Sequence, residues 1–157
     1  MKKSNKNITV ILTLYKTPKK KLINLNKYKN FKTILFNQKS NSSYKKELKK
    51  ILDFEFLYYS SKKNIGLSKA SNFLLEKVKT KYCLFTQADV KISEKSINLL
   101  EEILSKKKDT IFVGPNFNKV TLKNKSNKES YVRSLDIACM LCDVKKLKKL
   151  NFFDEDF

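Results

Sequence analysis

The stretch Lys81-Tyr-Cys-Leu-Phe-Thr-Gln-Ala-Asp-Val-Lys-Ile92 contains an apolar run, Tyr82 to Phe85, followed within four residues by a lone carboxylate, Asp89. A short continuous apolar run bounded by polar residues reads as a strand buried on both faces. A buried strand that leads to an acid needs an explanation. One is available if the strand belongs to an open α/β sheet, where ligands bind outside the carboxyl ends of the strands.

The sequence on either side supports that setting. Ile8 to Leu14 is apolar but for Thr9 and Thr13 and reads as another buried strand. Pro18 suits the first turn of a helix over 18–29, with Leu22 and Leu25 facing inward. Thr33–Phe36 reads as a second strand, followed by a polar loop over 37–43 and a helix over 44–52. Phe54–Tyr59 reads as a third strand. Leu67–Lys79 carries the clearest helical stripe, through Leu67, Ala70, Ser71, Leu74, Leu75 and Val78. After the fourth strand, Ser93 can cap a helix that presents Ile97, Leu100, Ile103 and Leu104. Ile111–Val113 reads as a fifth strand and 116–130 as a polar loop or hairpin. Tyr131–Leu135, a strand over Ile137–Cys142 and a short helix capped by Asp143 complete the pattern. Strand and helix alternate through residue 113, which predicts an α/β fold with a mostly parallel sheet and helices on both faces.

Composition excludes several classes. With 157 residues, 41% of them hydrophobic, the chain can build one domain with a real core. No apolar run is long enough to span a bilayer, and Ile8–Leu14 is too short and too β-branched for a signal-peptide core, so a cytoplasmic protein is expected. There is no histidine, which removes Ser-His-Asp and Cys-His nucleophile systems and leaves Asp, Glu, Lys, Tyr or Cys as a base. The three cysteines do not form a disulfide framework. Cys139-Met-Leu-Cys142 matches C-x-x-C, but on a strand positions three apart face opposite ways, so both thiols read as small buried hydrophobes.

The net charge of +20 invites a nucleic-acid reading, yet Arg133 is the one arginine among 35 basic residues. Base readout and bidentate phosphate contacts favour Arg. Abundant Lys, Asn and Ile fit a coding bias, and no specific nucleic-acid partner is expected. A lysine-rich surface would still be drawn to an anionic membrane or a polyanion.

The predicted strand ends are Thr13-Leu-Tyr15-Lys16, Asn37-Gln-Lys-Ser40, Ser61-Lys-Lys-Asn64-Ile-Gly66 and Gln87-Ala-Asp89. All four would line one edge. Gly66 stands just before a helix, where it is either a turn glycine or a close-approach position for phosphate. Asp89 is either a partner of the following helix or a ligand for Mg2+ or Mn2+ held against a diphosphate.

Taken in order, these segments resemble the inverting glycosyltransferases of family two, which have the GT-A fold, and in particular their rhamnosyltransferase-like branch. I-T-V-I-L-T-L-Y-K-T-P at 8–18 is similar to the family's opening strand ending in Tyr-Asn. N-Q-K-S at 37–40 is similar to Asp-Asn-x-Ser, and N-I-G-L-S-K-A-S-N at 64–72 to Asn-x-Gly-x-x-x-Ala-x-Asn. L-F-T-Q-A-D-V at 84–90 is similar to the strand ending in Asp-x-Asp or Asn-Pro-Asp. V-G-P at 113–115 and A-C-M-L at 138–141 follow in place, and L-N-F-F-D-E-D-F at 150–157 is similar to Gly-Gly-Phe-Asp-Glu-x-Phe.

The resemblance implies a transferase that moves a sugar from a nucleotide-diphosphate sugar to a glycan or lipid-linked acceptor, with inversion, at the cytoplasmic face of the membrane. Thr13, Tyr15 and Asn37 would contact the nucleotide, and Asn64 and Gly66 would shape its pocket. Asp89 would bind Mg2+ or Mn2+, and Asp154 or Glu155 would act as the base near the acceptor. This sequence departs from the pattern where Asn37 replaces Asp, Lys16 replaces Asn, Gln87 replaces the first acid, and Asn151 and Phe152 replace two glycines. The family domain continues past the position matched by Phe157, so residues 1–157 are expected to form a single domain lacking the family's C-terminal part. The competing expectation is a degenerate, non-catalytic member, or a basic polyanion-binding α/β module.

Overall fold

A computed structural model describes residues 5–39, 43–115 and 135–156. The loop read at 116–130 and all but Leu135 of the segment 131–135 lie outside the described residues.

The central strand, β1 (Asn5–Leu14), shows why its sequence is apolar throughout. Ile8, Val10, Leu12 and Leu14 enter one core cluster, and Ile11 enters another on the opposite side of the sheet. Both faces are covered, as for parallel strands generally. Each fully buried Leu contributes about 1.5–3 kcal/mol relative to exposure, so the run itself fixes β1 in the middle.

Next come α1 (Lys19–Leu22) and a 3-10 helix (Ile23–Tyr28), where the sequence predicted one α-helix. The buried residues, Leu22, Leu25 and Tyr28, recur every third position. That spacing forms a single stripe on a helix of three residues per turn and drifts on one of 3.6. The Asn26 side chain also bonds the Ile51 carbonyl and the Asp53 N–H, tying this segment to the next helix.

β2 (Phe31–Asn37) pairs with β1, and α2 (Tyr44–Ile51) buries Leu48. β3 (Leu57–Ser60) is shorter than the sequence suggested and begins three residues later. Phe54 and Phe56 stand edge to face instead, with centroids 6.2 Å apart, and pack on the first core cluster. α3 (Leu67–Lys77), β4 (Tyr82–Thr86) and α4 (Glu94–Lys106) follow as expected, with Ser93 Oγ accepting from the Ser96 N–H at the start of α4. β5 (Phe112–Val113), β6 (Cys139–Asp143) and α5 (Val144–Lys149) close the described chain, and Asp143 caps α5 by accepting from the Lys146 N–H.

The sheet has the order β3-β2-β1-β4-β6-β5. β1 to β4 are parallel, and β6 runs against both of its neighbours. Residues of α1, the 3-10 helix, α2 and α4 pack on one face, and those of α3 and α5 on the other. Cys139 and Cys142 fall in opposite clusters, so C-x-x-C here is strand geometry and not a redox pair. Among the described residues no helix is long and apolar enough to cross a membrane.

Candidate functional site at the strand exits

Chain order reverses between β1 and β4. From β1 the chain steps to β2 and β3, then returns to pair β4 on the other side of β1. In open α/β sheets such a switch point opens a crevice at the carboxyl ends of the strands. The register aligns those ends: Leu14 lies beside Asn37, Asn37 beside Ser60, and Leu12 beside Thr86. Thr13, Tyr15, Asn37, Asn64, Gly66 and Asp89 therefore gather along one edge.

Each residue has a distinct local state. Thr13 is partly buried and joins Ser71 and Gln87 in lining a hollow of about 10 Å3 between α3 and the ends of β1 and β4. Tyr15 is 44% exposed, and the Lys16 ammonium stands 5.4 Å from its ring centroid. Lys16 adopts φ of 48°, a left-handed conformation that Asn tolerates better than Lys. Asn37 is buried, and its amide donates to the Lys39 carbonyl (3.1 Å) and the Tyr58 hydroxyl (3.4 Å). The adjacent Gln38 is also buried and accepts from the Ile65 N–H, which fixes the loop before α3.

Asn64 Oδ1 accepts from the Gly66 N–H at 3.0 Å. Gly66 has φ 86° and ψ 162°, a region essentially restricted to glycine. Nothing lies within 4 Å of where its Cβ would be, so backbone shape, and not crowding, demands glycine.

Asp89 is half-exposed just past β4, and its Oδ2 lies 2.8 Å from the Lys21 ammonium. That hydrogen bond, reinforced by one from its own backbone, holds the carboxyl below its ordinary range. The half-buried Lys27 ammonium donates to the Val90 carbonyl and lies over the Tyr28 ring. Burial lowers the Lys27 pKa. Asp89 is thus paired with one ammonium, that of Lys21, while Lys27 is fixed on the neighbouring Val90 carbonyl. Lys21 was not legible as a site residue, because nothing in the run Lys19-Lys20-Lys21 distinguishes it.

Asp154 and Glu155 lie on the α3 side. The Asn72 amide donates to the Phe153 carbonyl (2.8 Å) and Glu155 Oε1 (2.9 Å), and Asn72 Oδ1 accepts from the Phe153 N–H (3.0 Å). Asp154 Oδ1 accepts from the Asp156 N–H and shapes its own turn. The Phe153 ring meets Phe85 of β4 edge to face at 5.3 Å. Asn151 and Phe152 have φ of 59° and 68°, so the two positions that resemble a glycine pair keep the left-handed backbone without glycine.

A second, larger concavity of about 750 Å3 lies at the opposite ends of the strands, where Lys32, Lys49, Lys77 and Lys79 surround Phe54 and Phe56.

A sequence model of Glycosyl transferase family 2 matches residues 14–153, nearly the whole chain. The chain belongs to glycosyl transferase family 2. Solved structures agree on the fold of this family-two chain. Mannosyltransferase PcManGT from Pyrobaculum calidifontis, in complex with GDP-Man and Mn2+, is similar with TM-score 0.71 at 12% identity, over 96% of this chain and 48% of its own. S. aureus TarS 1–349 is similar with TM-score 0.64 at 15% identity, over 96% of this chain and 51% of its own. The family-two chain thus spans about half the length of either neighbour. No curated protein matches its sequence.

Proposed function

We propose that the chain is a glycosyltransferase whose donor, a nucleotide-diphosphate sugar, binds along the exits of β1 to β4. The carrying observation is the alignment of Thr13, Tyr15, Asn37, Asn64, Gly66 and Asp89 on one edge, at the switch point. Thr13 and the exposed Tyr15 face the nucleotide. Asn37 supports the pocket from beneath, its amide engaged by Lys39 and Tyr58. Asn64 and Gly66 set the backbone at the start of α3.

Mg2+ and Mn2+ bind through one or two carboxylates plus substrate phosphates and water. Among the described residues no group of three His, Cys, Asp or Glu gathers. Asp89 therefore fits a divalent ion shared with the donor, and not one held by protein alone. Such an ion, when bound, supplies Lewis-acid neutralisation of the leaving diphosphate. Glu155, held by Asn72, or Asp154 beside it takes the proton from the acceptor hydroxyl, which attacks the anomeric carbon with inversion.

The acceptor is a glycan or a lipid-linked sugar, and the +20 charge supports work at the inner, anionic face of a membrane. The test is release of nucleoside diphosphate from a panel of UDP-, GDP- and dTDP-sugars, using water as a slow acceptor. Turnover that falls at least tenfold in Asp89→Ala, and in either Glu155→Gln or Asp154→Asn, supports the reading; turnover unchanged in Asp89→Ala contradicts it. The basic groove at the opposite ends of the strands favours a second reading, a polyanion-binding module, whose binding would fall steeply with salt.

A further inference from the structure

We propose that Lys21 is a diphosphate-binding residue in its own right, so that the chain retains nucleoside diphosphate without a divalent ion. The inference rests on the donor-site reading above. Lys21 belongs to α1 on the β1 side of the switch-point crevice, and Asp89 belongs to the β4 side. Their 2.8 Å ion pair joins the segments that follow β1 and β4, at the edge where the proposed donor binds.

The charge balance there favours an anion. Asp89 is the acid left at the β4 exit, since Gln87 is neutral, and Lys21 already meets its charge. Lys27 adds a second ammonium nearby, fixed on the carbonyl of Val90, the residue after Asp89. Lys16 stands at the exit of β1. A divalent ion held by Asp89 would share the carboxylate with the Lys21 ammonium or compete with it, leaving that ammonium beside the donor's phosphates. Without an ion, the same ammonium turns from Asp89 to the phosphates. Lys21 is a compact cation on a flexible stem, able to exchange one oxyanion for another.

The pair is exposed at both partners, 41% and 52%, so breaking it has little effect on folding. Calorimetric titration of UDP, GDP and dTDP into wild type, Lys21→Met, Asp89→Asn and Lys20→Met, in EDTA and in Mn2+, tests the proposal. In EDTA the wild type binds at least one of the three, Lys21→Met weakens that binding at least tenfold, and Lys20→Met leaves it unchanged. Asp89→Asn tightens it severalfold, because the ammonium no longer has a competing carboxylate. In Mn2+ a metal-binding role of Asp89 gives the opposite sign, weaker binding in Asp89→Asn. Binding only in Mn2+, with Lys21→Met equal to wild type, overturns the proposal and leaves the donor site standing. Equal losses in Lys20→Met and Lys21→Met also overturn it, since they report general charge. No binding in either condition defeats the donor-site reading, and this inference with it.

Discussion

Asn72 of α3 holds Glu155, 83 positions later, through an amide–carboxylate hydrogen bond of 2.9 Å. The same side chain brackets Phe153 by donating to its carbonyl and accepting from its N–H. One buried amide thus docks the segment that carries both candidate bases onto the helix that begins at Gly66. The Gly66 turn and the segment that carries Asp154 and Glu155 are thus both anchored to α3.

Replacing Asn72 with Ala leaves the Phe153 N–H and carbonyl without their partners. Loss of such bonds costs about 1–3 kcal/mol. Urea unfolding of Asn72→Ala should show a drop of that order, and amide exchange at Phe153 should accelerate. Unchanged exchange there would mean that the ring contacts of Phe153 alone hold the segment.

Asn37 explains its own departure from the family's aspartate. Its amide nitrogen donates to the Lys39 carbonyl and to the Tyr58 hydroxyl; a carboxylate can accept from that hydroxyl but has no donor for the Lys39 carbonyl. Asn37→Asp should destabilise the protein by about 1–3 kcal/mol at pH 7. The loss should shrink as falling pH protonates the introduced carboxyl. Urea midpoints at pH 7 and pH 4 check both statements.

Gly66→Ala isolates backbone strain, since the added methyl group meets nothing within 4 Å. The conformation alone should cost on the order of 1–3 kcal/mol. A change of a few tenths, read from denaturant unfolding, would show that the loop relaxes into another shape.

The buried thiols predict alkaline lability. Burial raises Cys139 from its ordinary 9.0 to about 11, and raises Cys83 as well. Below pH 9 the thiols are neutral folded and unfolded. Above it the unfolded chain ionises first, so stability falls as pH rises from 9 towards 11. The Cys139 shift corresponds to roughly 2–3 kcal/mol. Urea unfolding across this range, with Cys139→Ala for comparison, measures the slope. A wild-type slope no steeper than the variant's would exclude Cys139 as its source.

Much of this architecture was legible because burial on two faces writes a continuous apolar run, as in Ile8–Leu14 and Tyr82–Phe85. Capping was legible too, at Ser93 and Asp143, because a side-chain acceptor before an apolar stripe is a local signal. The 3-10 segment was not, because Leu22, Leu25 and Tyr28 satisfy a helical pattern over so few turns. The start of β3 was obscured because Phe54 and Phe56 carry strand-forming character yet pack as a pair before the strand. At the site, Asp89 stood out as an acid after a buried run, whereas Lys21 was hidden among lysines and declared itself only by what it touches. Asn72 was visible as part of a motif, but its partners lie 81–83 residues away, beyond any spacing rule.

The central claim is that the exit edge of β1 to β4 binds a nucleotide diphosphate. Amide chemical-shift mapping of the full chain during titration with UDP, GDP and dTDP tests it most directly. One of them should give saturable shifts concentrated at residues 13–16, 37–39, 64–67 and 87–90, persisting in moderate salt. Shifts centred on Lys32, Lys49, Lys77 and Lys79 that vanish as salt rises would contradict it, and would identify the basic groove as the binding surface instead.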